Sequence, residues 1–542
     1  MLTRKLAITA LLTTGAIFAA SNIQPKKNEP QFQTSDRCLA CHNSLVDEAG
    51  QDVSIGFHWR ASIMANSSRD PYWQASARRE TIDHPEAQAD IQDECSVCHM
   101  PITRYEARLR GKTGEIFAHL PISTDDAVHR QAADGVSCSV CHQITPDKLG
   151  TPESYNGGFV VHGPDADGRH AEYGPFDIKQ GLQHIMRTST QGYRPEEGQQ
   201  IRKSQLCATC HTLITTARGP GGKPIGALNE QMPYPEWLHS DYRDKQSCQD
   251  CHMPEIKGPV QISRVLGENR EGARVHAFIG GNFFMLQLLD RYRGELGVSA
   301  LPAELTENAA ATADFLKTRA ASVAIENVTS EAGRLRADIV VRNKNGHKLP
   351  SAFPSRRAWI HVVVLDRRGQ IVFESGALNP DGSITGNDND ADPSRYEPHY
   401  SEISSADQVE IYESVLGDEN GQVTTGLLKG VRYLKDNRLL PDGFDKRTAG
   451  ADIAVVGNAL TDPAFTGGGD RVRYSAPLGT AIGPFTVEAE LWYQPIGYRW
   501  ANNLKPYDSA AEPKQFNTYF DSMKASTAIV LARAPLNTDA RP

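Results

Sequence analysis

Cys248-Gln249-Asp250-Cys251-His252 is the run on which the reading of this chain turns. Two thiols one helical turn apart, followed at once by an imidazole, suit covalent haem attachment. The thiols reach the two vinyl groups and form thioethers, and the histidine becomes the proximal ligand of the iron. The pattern recurs as Cys38-Leu-Ala-Cys41-His42, Cys95-Ser-Val-Cys98-His99, Cys138-Ser-Val-Cys141-His142 and Cys207-Ala-Thr-Cys210-His211, and the five motifs use all 10 cysteines. A single Cys-x-x-Cys is also a disulfide, a redox pair or half a zinc site. Five that leave no cysteine over are not, because zinc ribbons place no obligatory histidine directly after each pair. Five covalent haems are expected.

The motifs recur at irregular intervals, so residues 36–290 form no solenoid of equal repeats. They are expected to form a mainly helical and loop domain in which the haems replace much of the apolar core. At that density neighbouring haems lie close together and conduct. The expected fold class is α+β, with this domain followed by a β-sandwich-like one.

Sixth ligands bear on function, because a second axial side chain saturates the iron for electron transfer whereas an open position admits substrate. His129 and His239 each stand nine residues before a motif, in His129-x8-Cys138 and His239-x8-Cys248. His184 precedes the fourth motif in an expected helix. His58 opens an apolar-periodic stretch that reads as a helix ending before Asp70-Pro71, and Met64 competes with it as a ligand. His276 follows the last motif beside Gly280-Gly281, a pair that permits close approach of a flat group. His347 projects from a loop between two expected strands. His84, His119, His162 and His170 read as surface or core residues.

At 542 residues the chain exceeds one ordinary core. Arg4 and Lys5 before the apolar run Leu6–Ala20 read as an export signal or N-terminal anchor over residues 1–21. A net charge of -9, with no basic block, argues against a nucleic-acid partner. The expected site is periplasmic or extracellular, with other redox proteins of the cell envelope as partners and membrane contact only through the anchor.

Past the last motif, Phe283–Tyr292 and Pro302–Ala321 read as connecting helices (the linking segment being 291–322), with Asn282 and Thr306 available as caps. From Val323 onward the texture turns to alternating β-branched runs: Leu335–Val341, Trp359–Leu365, Gln370–Glu374, Gln408–Val415, Arg471–Tyr474, Thr486–Tyr493 and Thr527–Ala532. Residues 323–542 are therefore expected to form an antiparallel sandwich. Arg356 and Arg357 are candidates to face haem propionates. Asn387-Asp388-Asn389-Asp390-Ala391-Asp392 offers oxygens of the sort calcium takes, without the spacing of an EF-hand loop; the alternative is a solvated turn.

The stretch from Pro235-Glu236-Trp237 to Cys248-Gln249-Asp250-Cys251-His252-Met253-Pro254 resembles multihaem c-type cytochromes related to tetrahaem carriers of nitrogen metabolism, pentahaem nitrite reductases and octahaem hydroxylamine oxidoreductases. Cys95 to Pro101 repeats the ending. The resemblance implies stacked, mostly bis-histidine haems over residues 36–290. The chain departs from it in two places. It has no Cys-x-x-Cys-Lys motif, which the pentahaem nitrite reductases use, and Trp59-x-x-Ser62 is followed by Met64 where the family has histidine. Gly346-His347-Lys348-Leu349-Pro350 and Tyr433–Pro441 look like a subgroup with an added β-rich domain.

Three functions follow. The first is an electron conduit with all or nearly all haems six-coordinate, the second an oxidoreductase with one open haem acting on a small inorganic molecule such as a nitrogen or sulfur oxide, and the third a haem wire docked to a partner by its β domain. Candidate ligands at least as numerous as the irons favour the conduit.

Overall fold

The computed structural model describes residues 31–190 and 192–538. The segment on which the export reading rests lies outside them. Among the described residues no helix is long and apolar enough to cross a membrane.

The haem-motif half consists of short helices joined by long loops. Three motifs sit in or open such a helix, Gln88–His99, Cys138–Gln143 and Cys248–His252, and the other two begin in Asp36–Leu39 and Ser204–Ala208 and run past the helix end. Cys248–His252 is set by a capping box: the Ser247 hydroxyl accepts the Asp250 N–H at 3.3 Å and the Asp250 carboxylate accepts the Ser247 N–H at 2.7 Å. Pro71–Asp83 starts on Asp70, whose carboxylate accepts the N–H groups of Tyr72 and Trp73. The helix expected from His58 to Asp70 is shorter, Ile55–Arg60, because the Asn66 amide donates to the Arg60 and Ser62 carbonyls and folds the chain into turns. Alternation missed the hairpin Leu213–Arg218 and Pro224–Gln231, whose second strand has one β-branched residue, Ile225, and carries a proline and a glycine.

The second half is built on two large sheets and carries a smaller three-stranded one of Ser414–Gly417, Val423–Thr424 and Arg432–Asp436, so the α+β class holds. We name its strands β1 (Ala321–Glu331), β2 (Arg334–Asn343), β3 (Arg357–Leu365), β4 (Ile371–Ser375), β5 (Glu402–Ile403), β6 (Ile411–Tyr412), β7 (Gly469–Pro477), β8 (Phe485–Gln494) and β9 (Ile529–Thr538). One sheet runs β4-β3-β8-β9, with β6 also paired to β3, and the other β5-β7-β2-β1. Register puts Val487 opposite Val364, Ala489 opposite Val362 and Leu491 opposite Ile360, all fully or almost fully buried. The expected strand Gln408–Val415 is broken at Glu413: β6 pairs with β3, whereas Ser414–Gly417 pairs with Arg432–Asp436.

The connecting helices are Phe283–Arg291 and Pro302–Phe315, the second ending in a π turn, Leu316–Ala320. Asn282 caps the first through the Met285 N–H. Thr306 does not cap the second. It lies within the helix, and the Glu304 carboxylate accepts the Leu301 N–H instead. These helices are core rather than linker: Phe284 and Leu288 share one buried cluster with Tyr72 of the haem half and with Ile339 and Val362 of the sheets.

Candidate haem-binding cavity

A cavity of about 1490 Å³ runs through the haem half, larger than an ordinary ligand pocket of roughly 300–1,000 Å³. Its walls carry all ten motif cysteines and all five motif histidines. Cysteines of different motifs also meet across it. The Cys38 thiol faces that of Cys138, Cys207 that of Cys248, and Cys98 that of Cys210, all unlinked, while Cys141 lies near Cys207 and Cys210. The five attachment points are thus contiguous.

Four of the five motif imidazoles share one signature, all but His211. Nδ1 of His42, His99, His142 and His252 is bonded to the backbone carbonyl of Ile262, Ser67, Tyr173 and Ile279, at 2.5–2.9 Å. The carbonyl can only accept, so Nδ1 carries the hydrogen and Nε2 keeps its lone pair, the arrangement a metal-ligating histidine needs. Burial holds these rings neutral, His99 and His252 down at about 4. Two histidines outside the motifs show the same pattern on the same walls: His276 Nδ1 bonds to the Arg274 carbonyl and His347 Nδ1 to the Lys348 carbonyl, both at 2.9 Å. The His347 and His252 rings are parallel within 5°, their centroids 6.3 Å apart. With metal–nitrogen bonds of about 2 Å, an iron between two imidazoles separates their centroids by about 6 Å. His276 is held neutral, at about 4, by burial and then by His142, with His42 and His58 also close.

The other candidates are placed differently. Met64 lines the cavity, as do Met186 and Met253, but His58, His129, His184 and His239 are not among its lining residues. His184 is exposed on the helix Gln180–Thr190, and it is Leu182, Ile185 and Met186 that face the haem space. His239 donates from Nε2 to the Asp445 carbonyl at 3.0 Å and meets Phe444 edge-on. His129 pairs with the Asp126 carboxylate at 2.9 Å and meets His119 edge-on. The shared nine-residue offset before a motif therefore does not correspond to a shared position.

No family model matches the chain, and no curated protein does. Among solved structures it is similar to a penta-heme cytochrome c552 from Thermochromatium tepidum, at 15% sequence identity and a TM-score of 0.50, over 94% of this chain and 100% of that one. The fold is that of a multihaem cytochrome c. The cavity suits the cofactor of that fold: paired thiols, tautomer-fixed imidazoles and apolar walls are what covalent haem requires.

In this cytochrome fold the loop that carries His347 is locked by a buried charge network. The Lys348 ammonium bonds to the Asp436 carboxylate at 2.8 Å, Arg438 bridges Asp436 and Glu236, and the Glu236 carboxylate accepts the Lys348 N–H and the Ser351 hydroxyl. Burial alone would raise the Asp436 carboxyl, but Arg438 and Lys348 hold it down at about 2. Sequence reasoning gave these residues no role. Charged residues inside an otherwise apolar sandwich, such as Lys348 before Leu349-Pro350, were the available signal.

The paired arginines separate. Arg356 lines the cavity, whereas Arg357 is buried in the sandwich on Asp390 and Gln494. A Cβ at Gly281 would come within 2.7 Å of the Tyr493 hydroxyl, so that glycine makes room for Tyr493 and Arg356. In the acidic stretch Asp390 binds Arg357, Asp388 binds Arg395, and Asp392 accepts from Ser394. Its carboxylates are engaged by the protein itself.

Proposed function

We propose that the chain is an exported c-type cytochrome with five covalent haems that passes electrons through a contiguous array to and from redox partners of the cell envelope. The observation that carries this reading is the single cavity lined by all ten motif cysteines and all five motif histidines. The cysteine contacts support an order in which the first haem adjoins the third, the third the fourth, and the fourth both the second and the fifth. Bound haem supplies a reversible one-electron couple; the protein supplies ligands, spacing and dry walls. His252 and His347 would hold the fifth iron. His276 would complete a haem of the first or third motif, with His58 or Met64 the donor for the other.

A specific observation also favours the enzyme reading. Among the described residues, the histidines outside the motifs that line the cavity are His276 and His347, fewer than the irons. In a conduit, thioethers such as Met64 and Met186 fill the difference; in an enzyme, one iron stays open. Low-temperature electron paramagnetic resonance of the oxidised holoprotein tests this, with haem counted per chain by pyridine haemochrome. Five low-spin haems support the conduit. A stoichiometric high-spin signal supports a reactive haem, and fewer than five haems defeats the proposal.

A further inference from the structure

Away from the haem cavity, the sandwich buries a second group of ligating side chains. His399, Glu410 and Asp470 each offer a donor atom, and the three atoms lie within 4.8 Å of one another. Their residues are 5%, 0% and 3% exposed. His399 Nδ1 is 2.8 Å from the Glu410 carboxylate, and its Nε2 is 3.2 Å from Asp462. Asp470 also accepts the Tyr412 hydroxyl at 2.8 Å. The donors come from both sheets: Glu410 directly precedes β6, paired to β3, while Asp470 lies on β7.

The group is short of positive charge. Asp462 and Asp470 face Lys446, whose ammonium donates to the Ala459 and Asp462 carbonyls. Lys435, close by, is taken by Glu413 and the Ile411 carbonyl.

An independent feature points the same way. The Tyr474 hydroxyl, on a residue 2% exposed, is left without a hydrogen-bond partner. The charges around it are those of Glu410 and Asp470. A buried hydroxyl without a partner, facing two carboxylates, is an oxygen donor placed for a cation.

We propose that His399, Glu410 and Asp470 bind one zinc-type divalent transition-metal ion that clips the two sheets together. One imidazole with carboxylate oxygens is a zinc donor set, whereas calcium takes six to eight oxygens and magnesium keeps its waters. This site is separate from the haems and does not depend on how they are ligated.

The test uses the holoprotein. Elemental analysis should find about one non-haem divalent metal per five irons, lost in Glu410→Gln and Asp470→Asn with the haem spectrum unchanged. Because either substitution can weaken the fold, the wild type is also stripped with a chelator and titrated with zinc sulfate. Its thermal midpoint by circular dichroism should fall on stripping and recover to a plateau at one equivalent. Full metal retention in both variants overturns the proposal, as does a wild type that holds no stoichiometric non-haem metal and whose midpoint ignores chelator and zinc alike.

Discussion

The His347 ring, presented by a loop of the β half, lies parallel to the motif imidazole of His252, 5° between planes and 6.3 Å between centroids. A loop of the β half thus brings an imidazole to the last haem-attachment motif. His347→Ala should convert one haem in five from low-spin to high-spin, read by electron paramagnetic resonance and by a new long-wavelength charge-transfer band. An unchanged spectrum would remove the β half from haem ligation.

His276 has the same tautomer signature, among His142, His42 and His58. His276→Ala should also create one high-spin haem, and combining it with His347→Ala should create two, because the residues serve different irons. A double variant with a single high-spin haem would refute that assignment.

His239 provides the contrast. Its Nε2 is committed to the Asp445 carbonyl, so His239→Ala should leave every haem low-spin and lower stability by about 1 kcal/mol, the worth of one hydrogen bond. The measurement is the denaturant midpoint alongside the Soret spectrum. A high-spin signal in this variant would show that the ring turns over to bind iron.

The network behind His347 should respond to acid. The Asp436 carboxyl is held at about 2, below the unfolded value of about 3.9, so the folded state binds its proton more weakly. Its contribution is full above about pH 4 and is lost as pH falls through about 2. Asp436→Asn should flatten that part of the acid-unfolding profile. Lys348→Met, which leaves Asp436 and Glu236 with one cation fewer, should cost about 3–5 kcal/mol in chemical unfolding.

Much of the architecture was legible in the sequence. β-branched alternation located β2, β3 and β8 to within a few residues, because inward and outward faces alternate along a strand that is half buried. It overran at Gln408–Val415, since periodicity cannot tell that a chain changes sheets at Glu413. It also passed over His399, Glu410 and Asp470, which have no common spacing and meet only between the sheets.

The five candidate attachment motifs were legible in the sequence, because the two thiols and the imidazole that each requires come from five consecutive residues. Which other side chains face the same cavity was decided by the tertiary structure. Met186 reaches the haem space and His184 two residues earlier does not, since they project from different sides of one helix. His347 reaches it although it is remote in sequence, because Lys348, Asp436, Arg438 and Glu236 fasten its loop over the last motif. Axial coordination is a relation across space, and local spacing carries no record of it.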